Sequence, residues 1–184
     1  MRILLVPGGG GSGPEHWDWR WQAMDDRVER VVQLDWINGP RERWLDKLDR
    51  QIASTAAPVI LVCHSLGCIA ACHWALQGAR NVRGVLLVAP ADVEADWAPA
   101  GSLYRAFSPI PMTRLPFPSL LVASSDDPYL SLDRAQAFGE AWGSEIHIAG
   151  ALGHIGSASN LGDWQEGRHR LDQLLALCGP SGSK

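Results

Sequence analysis

The chain has 184 residues, 46% of them hydrophobic and 20% charged, with a formal net charge of −4. At this length a single domain buries roughly 70% of the surface its unfolded chain would expose, and so apolar a composition excludes intrinsic disorder. The charge is acidic and no run of Lys or Arg forms a stripe, which argues against nucleic acid and acidic membranes as partners. Only Ile3, Leu4, Leu5 and Val6 are apolar before Pro7 and a glycine run. A signal peptide or a membrane span needs a longer stretch. The expectation is a cytoplasmic protein with one domain over 1–178 and a tail over 179–184.

Short apolar runs alternate with segments of helical period. Strands are predicted at 3–6, 28–34, 59–63, 85–89, 120–123 and 146–149. Most are continuously apolar, as parallel strands covered on both faces are. Helices are predicted at 40–54, 65–77, 132–142 and 165–178. The first carries Trp44, Leu45, Leu48 and Ile52 on one face, with Pro40 suited to its first turn. The second is small and apolar nearly all round and stops at Gly78. Such alternation predicts an open, mostly parallel α/β sheet of about six strands with helices on both faces. Residues 91–118 break the rhythm: Pro90 precedes them, and Pro99, Pro109, Pro111, Pro116 and Pro118 fall within. A stretch that long reads as a functional loop or a minimal lid.

The third strand ends in Cys63-His64-Ser65-Leu66-Gly67 and runs into a helix. This is a G-x-S-x-G elbow with Cys63 in place of its first glycine, a turn that lifts a serine hydroxyl above the strand end. A serine needs a base to remove its proton. Asp126-Asp127-Pro128 follows the fifth strand and Gly153-His154 follows the sixth, giving the chain order Ser, Asp, His at three strand ends. The catalytic residues expected are Ser65, Asp127 and His154, with Asp126 the alternative acid. Activity should fall on the acid side as His154 takes up a proton. An oxyanion hole is expected from the backbone N–H of Leu66 and of Gly9, with Gly10 the alternative to Gly9. Gly10, His16, Trp36 and Tyr129 are expected around the pocket, while His64 should point away from Ser65 and Trp17 and Trp21 should be core.

Rival patterns are present. Gly8-x-Gly10-x-x-Gly13 after a strand, with Asp35 about twenty residues on, matches a dinucleotide fingerprint and an NAD(P)-dependent oxidoreductase. Pro14 and Glu15 sit badly where the pyrophosphate would meet a helix start, and that reading leaves Ser65, Asp127 and His154 unused. The four cysteines, Cys63, Cys68, Cys72 and Cys178, are too few and too unevenly spaced for a disulfide framework, and Cys68, Cys72 and His73 lack the second pair of ligands that a metal site needs, so small buried residues are the better reading and no metal is expected.

Taken together, Pro7-Gly8 through Ser12-Gly13-Pro14-Glu15-His16-Trp17, Asp35-Trp36, Pro40-Arg41, His64-Ser65-Leu66-Gly67-Cys68, Ala89-Pro90-Ala91-Asp92-Val93, Pro116-Phe117-Pro118-Ser119, Asp126-Asp127-Pro128-Tyr129 and Gly153-His154-Ile155 resemble the small serine hydrolases of the α/β-hydrolase superfamily. These are compact bacterial members related to retinoblastoma-binding protein nine. The resemblance covers about residues 2–178. It implies a three-layer α/β-hydrolase fold without a large cap, and Ser65, Asp127 and His154 as nucleophile, acid and base. Gly9 and Gly11 stand where relatives often carry bulkier or polar residues, a difference expected either to widen the pocket floor or to loosen the oxyanion hole. The function expected is a cofactor-free carboxylesterase acting on a small-molecule ester, with any protein partner unknown. The alternative on the same fold is a binding protein that hydrolyses little.

Overall fold

Six apolar segments assemble into one sheet in a computed structural model that describes residues 1–179. The expected tail lies, apart from Gly179, outside the described residues. The strands are β1 (Arg2–Val6), β2 (Val28–Arg30), β3 (Val59–His64), β4 (Val82–Val88), β5 (Ser119–Ala123) and β6 (Glu145–Ile148). Their order is β2-β1-β3-β4-β5-β6 and every neighbouring pair is parallel. Side chains alternate across the pleat. Leu4, Val6, Leu61, Cys63, Val85, Leu87 and Leu121 enter one core, while Ile3, Leu5, Ile60, Val62, Leu86, Val88 and Leu120 enter the other.

Helices cover both cores. α2 (Arg41–Ala53), α3 (Leu66–Ala75) and α4 (Leu132–Trp142) pack on the first face, and α1 (Trp17–Met24) and α5 (Gln165–Cys178) on the second. The result is the three-layer α/β arrangement anticipated. Every residue of α3 except His73 is buried, which fits its uniformly apolar sequence. Among the described residues no helix is long and apolar enough to cross a membrane. From β1 the chain moves outward to β2, then crosses back to β3 on the other side of β1. The carboxyl ends of β1 and β3 therefore flank a topological switch point, the place where open α/β sheets leave a crevice.

Several boundaries differ from those predicted. β2 ends at Arg30 rather than residue 34: after Val31 donates to the Leu5 carbonyl (2.9 Å) the chain leaves the sheet, and Val32 and Leu34 are exposed. β4 starts at Val82, paired with Val59, earlier than its apolar run suggests. Pro40 is not in the first turn of α2 but caps it in extended geometry (φ −64°, ψ 147°). α1 was not predicted, because Trp17, Trp19 and Trp21 occupy both sides of the helix and mask any apolar stripe. Trp17 and Trp21 are buried as expected, and Trp19 is exposed.

Candidate active site

The elbow is held by close backbone approach. Ser65 adopts φ 55°, ψ −124°, a strained conformation for a residue with a Cβ. Its N–H donates to the Val88 carbonyl at 3.0 Å. Two glycines make room. A Cβ on Gly67 would stand 2.1 Å from the Val6 oxygen, and one on Gly8 would stand 2.7 Å from the Ser65 Cβ. Cys63, by contrast, faces the core with full burial. The tight contacts of the turn therefore fall on Gly67 and Gly8, which is why a side chain is tolerated at 63.

Three residues from three strand ends meet here. The Ser65 Oγ lies 2.8 Å from His154 Nε2. His154 Nδ1 lies 2.9 Å from each Asp127 carboxylate oxygen, and the Asp127 side chain is fully buried. Asp126 does something different. Its Oδ1 accepts from the Ser124 hydroxyl and the Gly153 N–H, both at 2.7 Å, and these bonds hold its carboxyl below the usual range. Ser124 Oγ also accepts from the Leu152 N–H at 2.9 Å. The loop after β5 is thus stitched to the loop carrying His154.

The glycine loop after β1 has most of its donors committed. Gly10 N–H donates to the Trp36 carbonyl (2.9 Å) and Gly11 N–H to the Gly8 carbonyl (3.1 Å). Gly9 N–H donates to no backbone carbonyl among the described residues. Leu66 opens α3, where a first-turn N–H has no intrahelical acceptor.

A pocket of about 680 Å³ opens over Ser65 and His154. His16 and Tyr129 line it as expected, but Gly10 and Trp36 do not: they border a neighbouring cleft, because Trp36 turns over Gly11 and packs edge-on against Trp44. Trp97 and Tyr104, from the proline-rich segment, complete an aromatic wall that continues through Tyr129 to His154. Their signal in the sequence was their place in that long segment. Arg105 anchors the segment by donating to the carbonyls of Glu94, Ala95 and Ala98 at 2.7–3.2 Å. The pocket floor at Gly9 is not widened. The Tyr104 ring fills that space, and a Cβ on Gly9 would meet its Oη at 2.6 Å. Gly9→Ala should therefore cost about 1–3 kcal/mol of stability through overpacking. The cost should nearly vanish in a Tyr104→Ala background, a coupling measurable by urea unfolding of the four variants.

His64 points away from Ser65, toward α1, where its ring packs on His16 and Trp17. It nonetheless borders the pocket. Its Nε2–H donates to the His154 carbonyl at 2.9 Å. Burial, then the neighbouring His154 and His16, push its pKa well below the ordinary 6.5. His73, beside the Phe107 carbonyl, is also lowered by burial. A depressed imidazole stays neutral in the fold while the unfolded chain takes up protons, so stability is lost as pH falls below about 6.5. His64 alone should contribute a slope of about 1.4 kcal/mol per pH unit. Urea unfolding from about pH 7.5 to about pH 5 measures it, and His64→Asn should remove that share.

Asp35, the residue the dinucleotide pattern needs, is spent on its own turn. Its Oδ1 accepts from the N–H groups of Ile37 (2.9 Å) and Asn38 (2.8 Å). The helix after the glycines begins only at Trp17, with His16 at its cap. Against known proteins, the serine hydrolase family model matches residues 3–173. The chain belongs to the serine hydrolase family. It is 34% identical to a YdeN-like hydrolase from Pectobacterium atrosepticum, over 97% of this chain and 92% of that one, with a TM-score of 0.87. The ydeN gene product of B. subtilis shares the fold at 15% identity, covering 95% of this chain and 98% of that one, with a TM-score of 0.70. Est816, an N-acyl homoserine lactone degrading enzyme, does so at 12% identity, 95% and 93% coverage and a TM-score of 0.71. A comparison with curated sequences gives no match. This serine hydrolase carries the α/β-hydrolase fold and is a hydrolase by family.

Proposed function

We propose that this serine hydrolase is a carboxylesterase acting on small acyl esters through Ser65, His154 and Asp127. One observation carries the reading: the Ser65 Oγ is 2.8 Å from His154 Nε2, whose Nδ1 is 2.9 Å from the Asp127 carboxylate. The buried carboxylate accepts a hydrogen bond from Nδ1–H, which keeps the proton on Nδ1 and leaves the Nε2 lone pair facing the hydroxyl. His154 takes the hydroxyl proton as Oγ bonds to the ester carbonyl carbon. The carbonyl electron pair moves onto oxygen, and the N–H groups of Gly9 and Leu66 donate hydrogen bonds to that oxyanion. As the tetrahedral intermediate collapses, the carbon–alkoxide bond breaks and the alkoxide leaves with the proton from Nε2. Water then repeats the sequence on the acyl-enzyme and frees the acid. His154 must be neutral at the start to accept that proton.

A fluorophosphonate probe tests the assignment. Wild type should be labelled and should release p-nitrophenol from p-nitrophenyl butyrate, and Ser65→Ala should do neither. Labelling that survives the substitution would refute the nucleophile. Labelling without ester turnover would favour a binding protein on this fold.

A further inference from the structure

At the wall of the pocket, His16 belongs to a second imidazole–carboxylate pair that the reaction above does not use. His16 is only 3% exposed and Asp18 only 2%. His16 Nδ1 lies 2.9 Å from Asp18 Oδ1. It also lies 3.3 Å from the Asp18 N–H, but the shorter contact is to a group that only accepts, which places the proton on Nδ1. Asp18 is fixed in turn. The Ser12 hydroxyl donates to its Oδ2 at 2.8 Å, Arg30 donates to its Oδ1 at 3.1 Å, and Arg30 also donates to Ser12 at 2.6 Å. Burial raises the Asp18 carboxyl, but His16, Arg30 and Ser12 together outweigh it and hold the group below the ordinary value, ionised.

With a proton on Nδ1, the neutral tautomer of the His16 imidazole carries its lone pair at Nε2. That nitrogen is buried and has no partner among the described residues. It lies beneath Gly156, where there is room for a methyl group and no more: a Cβ placed on Gly156 would stand in ordinary contact at 4.0 Å from it, 3.7 Å from His64 Cε1 and 3.9 Å from the His154 carbonyl oxygen, so a donor reaches Nε2 past this glycine. Gly156 and His16 line the same pocket as Ser65. Capping α1 does not explain this arrangement. A cap uses one side-chain atom, and Ser, Asp or Asn supplies it better than His. An orphaned buried acceptor is costly unless something meets it.

We propose that His16 is a substrate-recognition residue whose Nε2 accepts a hydrogen bond from a hydroxyl or amide N–H on the ester. The preferred substrates are then esters carrying a hydrogen-bond donor, rather than plain alkyl esters. The donor can sit on the acyl or the alcohol portion, and the experiment tells which. This inference rests on Ser65-dependent ester hydrolysis.

Two matched pairs test it: the p-nitrophenyl esters of 3-hydroxybutyrate and butyrate, and the 2-hydroxyethyl and propyl esters of butyrate. In wild type, kcat/KM should favour the hydroxylated member of at least one pair by about ten-fold. His16→Phe should bring that ratio close to one. His16→Gln, whose amide oxygen still accepts, should keep part of it. Ratios near one in both pairs for wild type overturn the proposal, as does a preference that survives in His16→Phe. If His16→Phe does not fold, the wild-type ratios and His16→Gln still decide. Should none of the four esters be hydrolysed in a Ser65-dependent way, the esterase reading fails and takes this inference with it. Ser65-dependent hydrolysis without preference sinks only the role of His16.

Discussion

Ser65→Ala should lower kcat for p-nitrophenyl butyrate by roughly 10⁴–10⁶-fold, because the acyl-enzyme route closes and only the pocket and the oxyanion donors remain. The loss should be chemical and not structural. Ser65 makes no core contact of its own that Ala would lose, and its N–H bond to the Val88 carbonyl is backbone. Asp127→Asn should cost about 10⁴-fold, since an amide no longer enforces the proton on His154 Nδ1. Asp126→Asn should cost far less, roughly ten-fold, because that carboxylate touches Ser124 and the Gly153 N–H rather than the imidazole. Saturation kinetics on the three variants separate these outcomes. A Ser65→Ala enzyme within ten-fold of wild type contradicts the mechanism, and equal losses at 126 and 127 contradict the assignment of the acid.

Gly67→Ala should be the most damaging small substitution in the fold, removing about 3–5 kcal/mol. The added methyl meets the Val6 oxygen at 2.1 Å, the Pro7 oxygen at 2.7 Å and the Val6 carbonyl carbon at 2.9 Å. All three are backbone atoms at the end of β1, so no side-chain rotation relieves the clash. α3 must back away from β1, yet α3 is buried on nearly every side. Such a loss is a large share of the roughly 5–15 kcal/mol that holds a domain together. It should show as a lower urea midpoint and poor soluble yield. Cys63→Gly restores the usual elbow glycine but should not stabilise, because it empties a buried core position and frees the strand backbone. A stabilised Cys63→Gly would show that the elbow, and not the core, limits this site.

The expectations met by the structure came from local chemistry. Continuous apolar runs such as Val59–His64 belong to strands covered on both faces, and all six residues of that strand are buried. The Ser65 elbow, the Asp127 turn and the His154 loop each follow a strand, so a parallel sheet carries their carboxyl ends to one edge. Two reasons explain what was missed. α1 packs Trp17 and Trp21 inward and leaves Trp19 outside, so composition hides its period. Trp36 and Gly10 looked like pocket residues by proximity in sequence, but the loop reverses, and the Gly10 N–H is used up on Trp36 itself.

The chain order of residues by itself determined the layer architecture, the six strands and the chemical identities at three strand ends. These depend on periodicity and on short turns, whose physics is contained in a few adjacent residues. Only the tertiary structure decided which of two adjacent carboxylates faces the imidazole, that Tyr104 lies over Gly9, and that His16, tied to Asp18 beside the pocket, keeps a buried nitrogen with no partner among the described residues. Those contacts join segments far apart in the chain, and their energies depend on packing distances of a few tenths of an ångström that no local pattern encodes.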